Sequence, residues 1–65
     1  MTAPQLEFYA AARSGQTAII HTETGRIVAW IEVVDDGLRA RRTGWISATV
    51  ETIPQAIREV ARAGA

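Results

Sequence analysis

The dipeptide Asp36-Gly37 stands between two apolar runs, 26–34 and 38–50, and no other feature restricts the fold of this chain as strongly. Asp-Gly in that position signals a tight hairpin, because both central residues of a type I′ turn need positive φ. The upstream run is rich in β-branched residues and contains Trp30, which suits a strand; the downstream run alternates apolar and polar residues. With Asp36-Gly37 as a two-residue loop, Asp35 opposes Leu38, Val33 opposes Ala40, Glu32 opposes Arg41, Trp30 opposes Thr43 and Ile27 opposes Ile46. One sheet face then carries Ile27, Ala29, Ile31, Val33, Ala40, Ile46, Ala48 and Val50. The other carries Val28, Trp30, Glu32, Val34, Arg39, Arg41, Thr43 and Trp45.

A third strand is expected over 16–22, joined to the second through Thr24-Gly25. If that turn is also a two-residue loop, Glu23 meets Arg26, Ala18 and Ile20 join the first face, and Ile19 and His21 join the second. A slip of one residue would mix apolar and polar sets, so hydrophobic pattern and turn chemistry select one register. Arg42 alone sits awkwardly, pointing toward the apolar face. A bulge across Arg42 to Gly44 would turn it outward and would shift Trp45 with it.

Two segments share the pattern Thr-x-Pro-Gln: Thr2-Ala3-Pro4-Gln5 and Thr52-Ile53-Pro54-Gln55. A threonine cap answered three residues later by glutamine is a capping box, and proline fits the first turn, where its missing N–H costs nothing. The second box opens a helix whose Ile53, Ala56, Ile57, Val60 and Ala61 share one face and which ends at Gly64. The first is expected to open a helix over 4–14, ending at Gly15, with Leu6, Phe8, Tyr9 and Ala10 to Ala12 covering most of its circumference. The predicted architecture is α+β in the order α-β-β-β-α, a three-stranded antiparallel sheet with two helices, the second packed on the Ile27/Ile31/Ile46 face.

The chain has 65 residues, room for one small domain over 1–65 and one core. A chain this short usually needs a staple or a partner. It has no cysteine, so disulfides are excluded, and a lone histidine does not make a zinc site. An oligomer, or docking to a larger protein, is therefore expected. Hydrophobic residues make up 48%, too many for a disordered chain. No apolar run is long enough to cross a membrane, and Met1-Thr2-Ala3-Pro4 has no signal-peptide pattern, so a cytoplasmic location is expected. Seven arginines balance seven acids. Zero net charge argues against a nucleic-acid binder that acts through charge alone.

The residues available for catalysis are few. His21 is the single imidazole, Ser14 and Ser47 have no base beside them in sequence, and Gly15 and Gly25 are isolated turn glycines rather than a phosphate loop. Asp35-Asp36 before Gly37 is ordinary turn chemistry rather than a metal site. No enzyme activity, cofactor or metal is expected. The informative feature is the second sheet face, where Ile19, His21, Val28, Trp30, Arg39, Arg41 and Trp45 form an apolar-aromatic patch rimmed by arginine. Trp and Arg are the residue types in which binding energy concentrates.

These features lead to a non-enzymatic regulatory module that works by protein–protein contact, as a homodimer or as an inhibitor- or antitoxin-like protein docked on a larger partner. Phage-encoded inhibitors are of this size. The alternative is a nucleic-acid-binding domain using the Arg/Trp face of the sheet, with Glu23, Glu32, Asp35 and Asp36 offsetting much of its positive field. The predicted element order resembles double-stranded-RNA-binding domains. The stretch from Val50 through Thr52-Ile53-Pro54-Gln55 to Ile57 resembles the strand-to-helix junction of HicB-type antitoxins and of the arm-binding domains of tyrosine recombinases. The shared element is a generic junction, and no functional residue is carried over from it.

Overall fold

The computed structural model describes residues 7–64. Five antiparallel strands, β1 (Phe8–Arg13), β2 (Gln16–His21), β3 (Ile27–Val34), β4 (Gly37–Arg42) and β5 (Trp45–Ile46), are followed by one helix, α1 (Ile53–Arg62). The strands form a meander in the order β1-β2-β3-β4-β5. The architecture is α+β, as expected, but it is a five-stranded sheet with one C-terminal helix rather than α-β-β-β-α.

The segment expected to be the first helix is strand β1 from Phe8 onward; the Thr2–Gln5 capping box lies outside the described residues. Local chemistry explains the change. Ser14 and Gly15 both adopt positive φ, 52° and 79°, and close a two-residue hairpin in which Arg13 pairs with Gln16 and Phe8 with His21. A helix of about ten residues is marginal by itself, and the hairpin pairs Ala10, Ala11 and Ala12 with Ile19, Ala18 and Thr17 of β2.

The β3–β4 hairpin forms, two residues out of the expected register. Val34 pairs with Gly37, so Asp35-Asp36 is the loop, and Trp30 faces Arg41 rather than Thr43. Because side chains alternate with period two, this slip leaves the facing of β4 and of β3 from Ala29 to Val34 unchanged. The run 38–50 is not one strand. It folds back at Thr43-Gly44, where Gly44 has φ 76°, and β5 returns along β4 with Arg42 opposite Trp45 and Arg41 opposite Ile46. Beyond β5, Ser47 continues the contact. Its N–H donates to the Ala40 carbonyl at 2.9 Å, while its Oγ accepts from the Ala40 N–H at 2.9 Å.

Between β2 and β3 the connection is the whole segment 22–26 rather than Thr24-Gly25 alone. It is held by His21 N–H to the Arg26 carbonyl and Gly25 N–H to the His21 carbonyl, both 2.8 Å. Ile19 pairs with Ala29 and Ile20 with Ile27, so Val28 is an extra residue and the register shifts there. The facing of β2 against β3 is therefore the reverse of the one expected. Ile19 and His21 share a side with Ala29, and Ala18 and Ile20 share a side with Trp30.

Helix α1 forms where its capping box requires. Gln55 N–H donates to Thr52 Oγ1, and Gln55 Oε1 accepts from the N–H groups of Glu51 and Thr52, a cap worth about 1 kcal/mol. Ala56 and Val60 are buried against Phe8, Ile19, Ala29 and Ala40, with Ile31, Val50, Ile57 and Trp45 packed at the margins. Alanine at positions 29, 40 and 56 lets the helix approach the sheet closely, and Phe8 from β1 fills the space beside it. Two expectations change. Ile27 and Ile46 are not under the helix but 43% and 50% exposed, and Ile53 lies at the helix margin rather than in the core.

Candidate protein-binding surface

On the sheet side away from α1, cross-strand pairing assembles two rows. One runs Ala11, Ala18, Trp30, Arg41 and Ile46 across all five strands; the other runs Tyr9, Ile20 and Ile27. Ala18 and Ile20 are buried within them. Tyr9, Ile27 and Ile46 are exposed and Trp30 is half-buried. Among the described residues no helix or strand lies over this side. A groove at this end of the sheet draws on both sides: Trp30, Glu32, Arg41 and Ile46 line it from this one, and Val33, Arg42 and Trp45 from the other.

The charges beside Trp30 are paired. Glu32 lies directly across from Arg39 and receives its Nε–H at 2.5 Å, and the Arg41 guanidinium stands 3.5 Å from the other carboxylate oxygen. The Arg39 hydrogen bond holds the Glu32 carboxyl below the usual glutamate range; partial burial opposes this, and the charges of Arg39 and Arg41 add to it. The carboxylate thus holds the Arg39 side chain, attracts the more exposed Arg41 guanidinium, and cancels part of their field.

The structure divides the predicted site residues between the two sheet sides. Trp30, Arg39 and Arg41 come together on the open side. Ile19 is in the core beneath α1, and Val28 and Trp45 pack at its margin. His21 stands edge-on to Phe8, ring centroids 5.3 Å apart at 85°. Its Nδ1 is buried without a hydrogen-bond partner. Trp45 falls on the helix side, opposite in facing to Trp30, because β5 turns back at Thr43-Gly44 and pairs it with Arg42, though both residues border the same groove. The Arg42 guanidinium lies 5.2 Å from the centre of the Trp45 ring, so the arginine that looked misplaced on the apolar side has a cation–π partner there. Tyr9, Ile27 and Ile46 belong to the open surface and were assigned elsewhere from sequence. For Tyr9 the signal was present in Ser14-Gly15, a turn dipeptide as good as Thr24-Gly25.

Among the described residues no cluster of three or more His, Asp or Glu side chains is placed to hold a metal ion, and no helix is long and apolar enough to cross a membrane. The chain matches no family model, and comparisons with curated proteins and with solved structures give no match.

Proposed function

We propose that this protein is a small non-enzymatic regulatory module that docks on a larger protein through the open side of its sheet. The observation that carries this reading is the row Trp30–Arg41–Ile46, flanked by exposed Tyr9 and Ile27, on a side that no described element covers. An aromatic anchor with adjoining arginine and aliphatic groups is the composition of a protein-binding hot spot. Exposed apolar groups gathered on one side of so small a domain call for a partner.

Nucleic acid fits this surface less well. Glu32 occupies the position between Arg39 and Arg41 where a phosphate would have to sit, and the chain has no net positive charge to draw a polyanion in.

The test is capture of partners from a lysate on immobilised protein, with Trp30→Ala and Arg41→Glu as paired controls. A protein retained by the wild type and lost with both substitutions, at unchanged thermal stability, supports the reading. Retention of nuclease-sensitive material instead would transfer the surface to nucleic acid. Equal retention by all three proteins would show that this side of the sheet is not the site.

A further inference from the structure

The two edges of the sheet are finished differently. The outer edge of β4 is occupied: Arg41 and Arg42 pair with β5, Ser47 bonds Ala40, and Leu38 exchanges main-chain hydrogen bonds with Val50 at 2.8 and 2.7 Å. β5 itself has two residues, the short edge that resists further pairing. At the other end, β1 pairs with β2 alone, and no described strand lies on its far side. It reads Phe-Tyr-Ala-Ala-Ala-Arg. Between Phe8 and Ala12 it has no proline, no bulge against β2 and no charge, three of the devices that protect an exposed edge.

The main-chain groups on that edge can be assigned. Thr22 N–H donates to the Glu7 carbonyl at 2.8 Å, so Glu7 faces β2. By antiparallel alternation Tyr9, Ala11 and Arg13 face β2 as well, and Phe8, Ala10 and Ala12 direct their N–H and C=O groups outward. His21 N–H, bonded across to Arg26 on the β3 side, confirms the phase, since His21 is the partner of Phe8.

We infer that β1 is a homodimer interface, in which two copies pair their β1 strands antiparallel about a two-fold axis at Ala10 and join their sheets into one. Two features point to a second copy rather than to an unrelated strand. First, the outward groups of Phe8, Ala10 and Ala12 are self-complementary: Ala10 meets Ala10, Phe8 meets Ala12, and roughly six main-chain hydrogen bonds form. Second, the strand has its large residues at one end and its small ones at the other. Antiparallel self-pairing sets Phe8, its ring already buried in the core of its own copy, across from Ala12 of the second copy, and exposed Tyr9 across from Ala11, so no two large side chains meet and the Tyr9 ring gains an alanine neighbour. The two-fold axis runs perpendicular to the sheet. Both helices therefore lie on one side of the joined sheet, and the two Trp30–Arg41 surfaces lie together on the other. This interface is separate from the surface assigned to the larger partner, and each can fail without the other.

The experiment is light scattering of the wild type and of Ala10→Pro, with amide hydrogen exchange on the wild type. Proline at position 10 removes an outward N–H and leaves the β1–β2 ladder its bonds. The expected result is a wild-type mass of about twice that of the chain, and a folded Ala10→Pro protein at the single-chain mass. In the wild type, the amides of Phe8, Ala10 and Ala12 exchange as slowly as those of Tyr9, Ala11 and Arg13. If Ala10→Pro does not fold, wild-type mass and exchange decide. A monomeric wild type overturns the inference, and so does a dimer in which Phe8, Ala10 and Ala12 exchange freely while their neighbours are protected. Trp30→Ala leaves the dimer intact.

Discussion

The carbonyl oxygen of Val50 lies where a side chain on residue 37 would begin: a Cβ built on Gly37 would stand 2.3 Å from it. Gly37 also has φ 150°, which residues with a side chain rarely adopt. The close approach follows from the Leu38–Val50 bridge, which draws the chain leading into α1 against the start of β4. Gly37→Ala is therefore expected to destabilise the fold by at least about 1–3 kcal/mol from backbone strain alone. A denaturant melt monitored by Trp fluorescence measures it, and a midpoint equal to that of the wild type would contradict the close approach.

Phe8 and Val33 are both apolar residues on the helix side of the sheet, and they should behave oppositely. Phe8 is 2% exposed in the core, whereas Val33 lies beyond the reach of α1 and is 79% exposed. Phe8→Ala should cost about 3–5 kcal/mol, a large share of what a domain this small possesses, and should abolish a cooperative thermal transition. Val33→Ala should change stability by no more than about 0.5 kcal/mol. Comparable losses from the two would mean that the helix sits elsewhere on the sheet.

The pairing of Glu32 with Arg39 predicts a pH signature. The Glu32 carboxyl is held below its usual range chiefly by the Arg39 hydrogen bond. A depressed folded-state pKa contributes stability that is fully present above the ordinary glutamate value, about 4.3, and is lost as pH falls through the lower folded value. Carboxyl titration by NMR should give Glu32 a midpoint below the ordinary value, and Arg39→Ala should move it upward. An ordinary midpoint in the wild type would show the contact unpopulated in solution.

Thr52→Ala removes the acceptor for Gln55 N–H and should cost about 0.5–2 kcal/mol. Thr52→Ser, which keeps the hydroxyl, should recover most of it. Unfolding midpoints of the three proteins settle whether the capping box contributes as its geometry implies.

Much of the fold was legible in the sequence because it is encoded locally. The α1 helix was predicted from Thr52, Gln55 and the spacing of Ala56 and Val60, and each of those residues serves as expected. The facing of Trp30, Arg39 and Arg41 was also legible, since a slip of two residues in the β3–β4 hairpin preserves it. The slip itself was not legible. Gly37 reads as a turn glycine, and its requirement comes from Val50, a contact distant in sequence. Ala10 to Ala12 have strong helix propensity, and the ladder to Ala18 and Ile19 overrides it. Ile19, His21 and Trp45 fall on the helix side for separate reasons. The 22–26 connection and the extra residue Val28 reverse the phase of β2, and Thr43-Gly44 sends the chain back where a continuous strand was expected.

Every strand of the meander pairs with its neighbour in sequence, whereas α1 packs across to β1 and places Val60 in a core with Phe8. The hairpins need only short loop closures, which are fast, while burial of the first strand waits for the most distant element. As the chain leaves the ribosome, the sheet can assemble one strand at a time, yet Phe8 stays in water until the helix has emerged. Loss of the helix thus uncovers residue 8 at the far end of the sequence, and nascent chains stalled before the helix present a wet aromatic strand to chaperones and to one another.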